Sequence, residues 1–175
     1  MTMVAGPASA APDEDFVVGS GAIELGTVVL DIFIDAHSDA SGTNPSGTFT
    51  MLFTPTGSVV WGGPVTCLEV TGNTATIGFD DARNGHVRIQ VMDNSAAGSP
   101  DTILGPDTSD PGGEGCPYGG GAATPLASGD FVVHDALVLT AKDQCKDGGW
   151  RDFTEDDGQP FETQGQCVAF VEHAT

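Results

Sequence analysis

Apolar and polar residues alternate along much of this chain with a period of two. Between Gly26 and Asp35, Val28, Leu30, Ile32 and Ile34 fall on one face; Val29, Asp31, Phe33 and Asp35 fall on the other. That period predicts a half-buried β-strand. Phe16-Val17-Val18 opens the pattern, and Thr48–Phe53 repeats it after the polar turn residues 38–47. Ser58–Trp61 and Val65–Val70 flank Gly62-Gly63-Pro64 and read as two short strands. Thr71-Gly72-Asn73-Thr74 is a tight hairpin connection, since Gly and Asn tolerate positive φ. Ala75–Phe79, His86–Asp93 and Asp130–Thr140 complete the set. About eight strands joined by short turns predict a mainly β fold, an antiparallel β-barrel or sandwich.

Two stretches depart from this pattern. Residues 94–129 are rich in Gly, Pro, Ser and Asp and read as one long loop. Residues 141–175 read as a short helical tail. Thr140 is placed to cap a first turn that runs through Cys145, with Gly148-Gly149 ending it. Thr163-Gln164-Gly165-Gln166 has the form of a capping box, after which Cys167, Phe170 and Val171 share one helical face. Trp150, Phe153 and Phe161 are positioned to fill the space between the two turns. The expected organisation is thus residues 1–12 as a signal-peptide remnant or disordered segment, residues 13–140 as the β domain, and residues 141–175 as the tail.

Charge narrows the range of partners. The 175 residues hold 25 acidic side chains against 5 basic ones, a formal net charge of −20. Phosphate binding needs clustered Lys and Arg, so nucleic acid is excluded as a partner, and anionic membranes with it. Such a surface keeps a protein soluble by self-repulsion. It also suits a high-salt habitat, where the repulsion is screened, and halophilic adaptation is the sharper expectation. No stretch approaches the roughly 20 apolar residues of a membrane span, so no membrane insertion is expected. Ala8-Ser9-Ala10 has the small-x-small form of a signal-peptidase site, although a basic start and full apolar run are missing.

The four cysteines are Cys67, Cys116, Cys145 and Cys167. An even count in an exported chain favours disulfides over metal ligation. Three pairings are open; Cys145 with Cys167 is the local choice and leaves Cys67 with Cys116. Zinc is disfavoured, because there is no Cys-x-x-Cys and the histidines are scattered.

The run Cys145-Lys146-x-Gly148-Gly149-Trp150-x-x-Phe153, followed by Gln164-Gly165-x-Cys167-Val168-x-Phe170-Val171, resembles the C-terminal signature of a group of secreted actinobacterial proteins of unknown function. Residues 65–75 and Val91-Met92-Asp93-Asn94 are similar to the β body of the same kind of protein. Residues 155–160 form a longer spacer than usual. The resemblance implies export and an uncharacterised β domain, and it carries no activity.

Candidate chemistry is sparse. Asp93, Asn94, Asp101, Asp107, Asp110 and Glu114 flank or lie in the long loop, and calcium takes six to eight such oxygens. Their spacing matches no fixed calcium loop, and the alternative is a solvated acidic loop. His134 and Asp135 adjoin on one strand, so they point to opposite faces and cannot act as base and orienter. There is no Gly-x-Ser-x-Gly and no His-Glu-x-x-His, and His37, His86 and His173 have no suggestive neighbours. Trp61 and Trp150 suit core packing; Tyr118, in a Gly-rich loop, is the aromatic side chain best placed to touch a ligand. The expectation is a secreted, non-enzymatic β domain that binds a small molecule, a glycan or a cell-envelope partner. The alternatives are a structural or surface protein without a pocket, and an exported hydrolase. No cofactor other than calcium is suggested.

Overall fold

The computed structural model describes residues 14–108, 116–136, 142, 145–146, 150 and 161–174. Among them are nine strands: β1 (Glu14–Leu25), β2 (Val28–Asp39), β3 (Ser46–Phe53), β4 (Ser58–Thr71), β5 (Thr74–Asp81), β6 (Gly85–Met92), β7 (Thr102–Asp107), β8 (Ala123–Pro125) and β9 (Ser128–His134). One helix, α1 (Gln164–Ala174), follows. The strands form one antiparallel sheet in the order β8-β7-β6-β5-β4-β3-β2-β1-β9, curled into a half-barrel. The first eight strands are a meander; β9 returns to the free side of β1. The chain divides into two compact units between Asp135 and Ala136.

The period-two pattern sets the inner face. On β2, Leu30, Ile32, Ile34 and Ala36 are buried, whereas Phe33 on the opposite face is 48% exposed. The inner residues of every strand from β1 to β7, with Leu126 and the β9 residue Phe131, make one core; the edge strand β8 adds none. At its centre the rings of Phe49 and Phe79 stack with centroids 4.5 Å apart. Each large side chain buried here contributes about 1.5–3 kcal/mol relative to exposure.

Three parts of the sheet differ from the sequence expectation. Gly62-Gly63-Pro64 does not separate two strands: β4 runs unbroken through it for 14 residues. Its first half pairs with β3 and its second half with β5, with a register shift on each side of the bend. The glycine serves close approach rather than a turn, since a Cβ on Gly63 would lie 1.8 Å from the Asp80 carbonyl oxygen. β1 is also longer than Phe16-Val17-Val18, because pairing on both sides carries it across Gly19-Ser20-Gly21. Finally, residues 94–129 are not one loop. They contain a 3₁₀ turn at Ser95–Ala97 and the strands β7 and β8, in which tertiary pairing with β6 overrides the Gly and Pro content. The last part of the expected strand 130–140, residues 137–140, lies outside the described residues, as do residues 1–12.

A seam separates the two edges of the sheet. Leu126 and Ala127 bridge from β8 to β9; the Leu126 N–H donates to the Asp101 carbonyl (2.8 Å) and the Ala127 N–H to the Ala22 carbonyl (2.8 Å). Leu126 itself is buried.

The C-terminal unit has its own small core of Cys145, Phe161, Cys167 and Val171, with Trp150, Val168 and Phe170 packed on it. Cys145 and Cys167 are disulfide-bonded. The capping box forms as expected: the Gln166 N–H donates to Thr163 Oγ1 (3.2 Å), and Gln166 Oε1 accepts from the Thr163 N–H (3.0 Å). Lys142 Nζ donates to Glu172 Oε1 at 2.7 Å. Phe153 and most of the turn expected between Thr140 and Cys145 lie outside the described residues.

Candidate functional site

The inner face is filled in the middle and open at one end. Leu30, Ile32, Phe49, Leu68, Ile77 and Ile89 are all buried in the central core. Beyond Leu30 and Ile89, toward the β1–β2 turn, a cavity of about 260 Å³ remains. One wall comes from Ile23, Leu25, Leu30, Met51 and Trp61 on β1–β4. The other comes from Ile89, Ile103, Leu104, Gly105 and Pro106 on β6–β7, with Ala122 and Thr124 at the lip. Thr124 supplies the one side-chain hydroxyl in an otherwise apolar lining. Leu25 is 50% exposed and Val59 45% exposed, and both belong to the same end of the sheet as the mouth. Trp61, read as a core side chain, packs on the core and also faces this cavity.

A strap, residues 116–122, crosses the outer face of the sheet. The Cys67–Cys116 disulfide holds it to β4. The bond needs Gly78 beneath it, because a Cβ there would lie 2.4 Å from Cys67 Sγ. Two further contacts fix the strap: the Tyr118 hydroxyl donates to the Gly105 carbonyl (2.7 Å), and the Gly119 N–H donates to Asp107 Oδ2 (2.7 Å). Tyr118 is half-buried. Burial, with the charge of Asp107 added, pushes its phenol above the usual tyrosine value.

The acidic residues read as calcium ligands are spread along the chain and engaged with backbone. Asp101 is buried and accepts the N–H groups of Asn94 (2.8 Å) and Phe131 (2.7 Å). Asp93 accepts the N–H of Ser95 (2.9 Å). Burial pushes the Asp93 carboxyl up, but hydrogen bonds from Ser95 and Val133 outweigh it and hold the group below the usual carboxylate value. Asp107 serves the strap, and Asp110 and Glu114 lie outside the described residues. Among the described residues no three His, Cys, Asp or Glu side chains converge as a metal site.

One acidic residue escaped the sequence reading. Asp81, 5% exposed, ends β5 and accepts the N–H groups of Arg83 (2.9 Å), Asn84 (2.9 Å) and Gly62 (3.0 Å), with the Asn84 side-chain amide as well. Burial raises its carboxyl, and these four donors outweigh that effect and lower it overall. Its position at the head of a polar turn was the available signal.

His134 and Asp135 part as expected. The His134 ring stacks on Phe16 with centroids 4.8 Å apart, and Asp135 Oδ2 accepts the Gly72 N–H of the β4–β5 turn (2.6 Å). His37 lies between Glu14 (3.1 Å) and Asp35 (2.8 Å). His86 contacts Asp80. His173 lies in α1, and Trp150 packs in the tail core.

Comparison with protein-family models, with curated proteins and with solved structures finds no match. Two disulfides are the signature of an oxidising, extracellular environment. No described helix is long and apolar enough to cross a membrane.

Proposed function

We propose that this protein is exported and binds a small, uncharged apolar molecule in the open end of its half-barrel, without catalysing a reaction on it. The cavity between β1–β4 and β6–β7 carries this reading. It is concave, lined from both halves of the sheet, and offers a single side-chain hydroxyl to orient a ligand. Its volume of about 260 Å³ is below the usual 300–1,000 Å³ of ligand pockets, which favours a short chain or small ring. The net charge of −20 disfavours fatty carboxylates and favours neutral molecules. Export rests on the signal-like N-terminus, the resemblance of the tail, and the two disulfides.

The test is a series of linear alcohols titrated against the chain in a Trp150→Phe background, so that Trp61 alone reports. Each added methylene buried contributes about 0.8 kcal/mol, so affinity should rise about fourfold per carbon until the cavity is full. A Gly105→Leu substitution should then abolish the Trp61 response while the protein stays folded, since a Cβ at Gly105 meets nothing closer than 4.0 Å. A Trp61 signal indifferent to every alcohol would leave the alternative of a structural protein with a filled interior.

A further inference from the structure

The outer face of β4–β6 holds a second concavity, separate from the apolar cavity because alternate residues of these strands point the other way. On this face Glu69 lies opposite Thr76, Thr71 opposite Thr74, and Thr76 opposite Gln90. The strap rises along one side as a wall, with Tyr118 against these polar rungs. The trough measures about 250 Å³. A larger one of about 440 Å³ continues past Glu69 and Pro117 toward Ser41 and Gly42. The two share Glu69, Cys116 and Pro117, so they are neighbouring lobes beside the disulfide.

A threonine-rich outer face is ordinary on a solvated sheet. This one is walled, and the wall is held at three points: the disulfide, the Tyr118 hydroxyl and the Gly119 N–H. The sheet residues below run from exposed at Glu69 and Thr71 to buried at Thr76, and their hydrogen-bonding groups are only partly used. Thr76 is only 7% exposed, and Gln90 gives it one long hydrogen bond of 3.3 Å. The Glu69 and Thr71 side chains make no hydrogen bond among the described residues. The trough therefore presents acceptors at Glu69 and Gln90, hydroxyls that both donate and accept at Thr71 and Thr76, the Thr74 hydroxyl as an acceptor while it donates to Asn73 Oδ1 (3.3 Å), and an apolar edge at Pro117 and Tyr118.

That set of groups selects its occupant. An anion meets Glu69 and the charge of the whole chain. A metal cation finds one carboxylate where it needs several oxygens. An apolar molecule strands the hydroxyls, each unpaired polar group costing about 1–3 kcal/mol when covered. A neutral polyhydroxylated ring fits all three constraints: its hydroxyls donate to Glu69 and Gln90 and exchange with the threonines, while its C–H face lies along Pro117 and Tyr118. Two lobes accommodate more than one ring. The geometry points to a binding site for a neutral oligosaccharide in the trough under the strap, independent of the apolar cavity.

Isotope-labelled full chain titrated with maltopentaose, cellopentaose and penta-N-acetylchitopentaose tests it. At least one sugar should shift the amide signals of residues 69–76, Gln90 and 117–119 and leave those of β1 and β2 in place. Glu69→Ala, a substitution at an exposed position, should weaken that sugar at least about tenfold, the value of a hydrogen bond to a charged group. Thr71→Lys, which reaches over the trough, should remove binding. No shift with any of the three sugars at millimolar concentration overturns the proposal. So does a response elsewhere on the surface, unchanged affinity in Glu69→Ala, or occupation of the trough by an extended neutral peptide in place of the sugars.

Discussion

Single carboxylates do much of the local work in this chain, and Asp81 shows how. Its four donors tie the β5–β6 turn to the bend of β4. An amide at this position keeps only part of that acceptor set, so Asp81→Asn should cost about 1–3 kcal/mol at neutral pH. Because the folded state lowers the Asp81 pKa, its contribution is fully present above the unfolded value of about 3.9 and is lost as pH falls through the lower folded value. The melting temperatures of the two proteins should therefore converge as pH drops below about 4. Melts taken across that range check it; a gap that stays constant down to the lowest pH would show that the charge of Asp81 is irrelevant. Neither Asp81 nor Asp101 announces its role in the sequence, because their partners Gly62 and Phe131 are far away in the chain. Thr163 and Gln166 were legible for the opposite reason, since a capping box closes within three residues.

At the level of elements, a strand is legible in the sequence where one face is apolar and the other polar, as in β2. It is not legible where backbone approach replaces side-chain pattern. Gly63 looks like a turn residue and is a contact with Asp80; β7 looks like loop and is paired to β6. The apolar cavity could not be read at all, because its walls come from strands that meet only when the sheet curls. Tyr118 was legible as a distinctive residue of a loose segment, but not as part of a wall pinned by Cys116. The seat of that disulfide gives a prediction. Gly78→Ala forces a Cβ against Cys67 Sγ and should cost about 1–3 kcal/mol by overpacking. In a Cys67→Ala, Cys116→Ala background the same substitution should cost almost nothing. A double-mutant cycle by chemical denaturation measures the difference, and equal costs in both backgrounds would locate the strain elsewhere.

For the whole molecule, charge and connectivity are the governing facts. With a net charge of −20, self-repulsion opposes compaction and salt relieves it. Raising ionic strength from about 0.1 to 1 M shortens the screening length from about 10 to 3 Å. The melting temperature should climb steeply over that interval if the acidic surface is a salt adaptation, and a level series would end that idea. Connectivity governs a different quantity. Every ladder from β1–β2 to β7–β8 joins neighbours in sequence, and the short turns among them can zip early. The β1–β9 ladder, which pairs Phe16 with His134, is the exception and brings the two ends of the domain together. Closing so long a loop carries the largest entropic cost in the sheet, so this ladder is expected to form last in folding. Phe131, fully buried on β9, then belongs to a part of the structure still unformed at the rate-limiting step. Phe131→Leu should accelerate unfolding and leave the refolding rate nearly unchanged, as a stopped-flow denaturant series can show. The Leu126-Ala127 bridge acts in this light as a kinetic latch: the domain's lifetime in the folded state depends on how tightly its first and last strands hold.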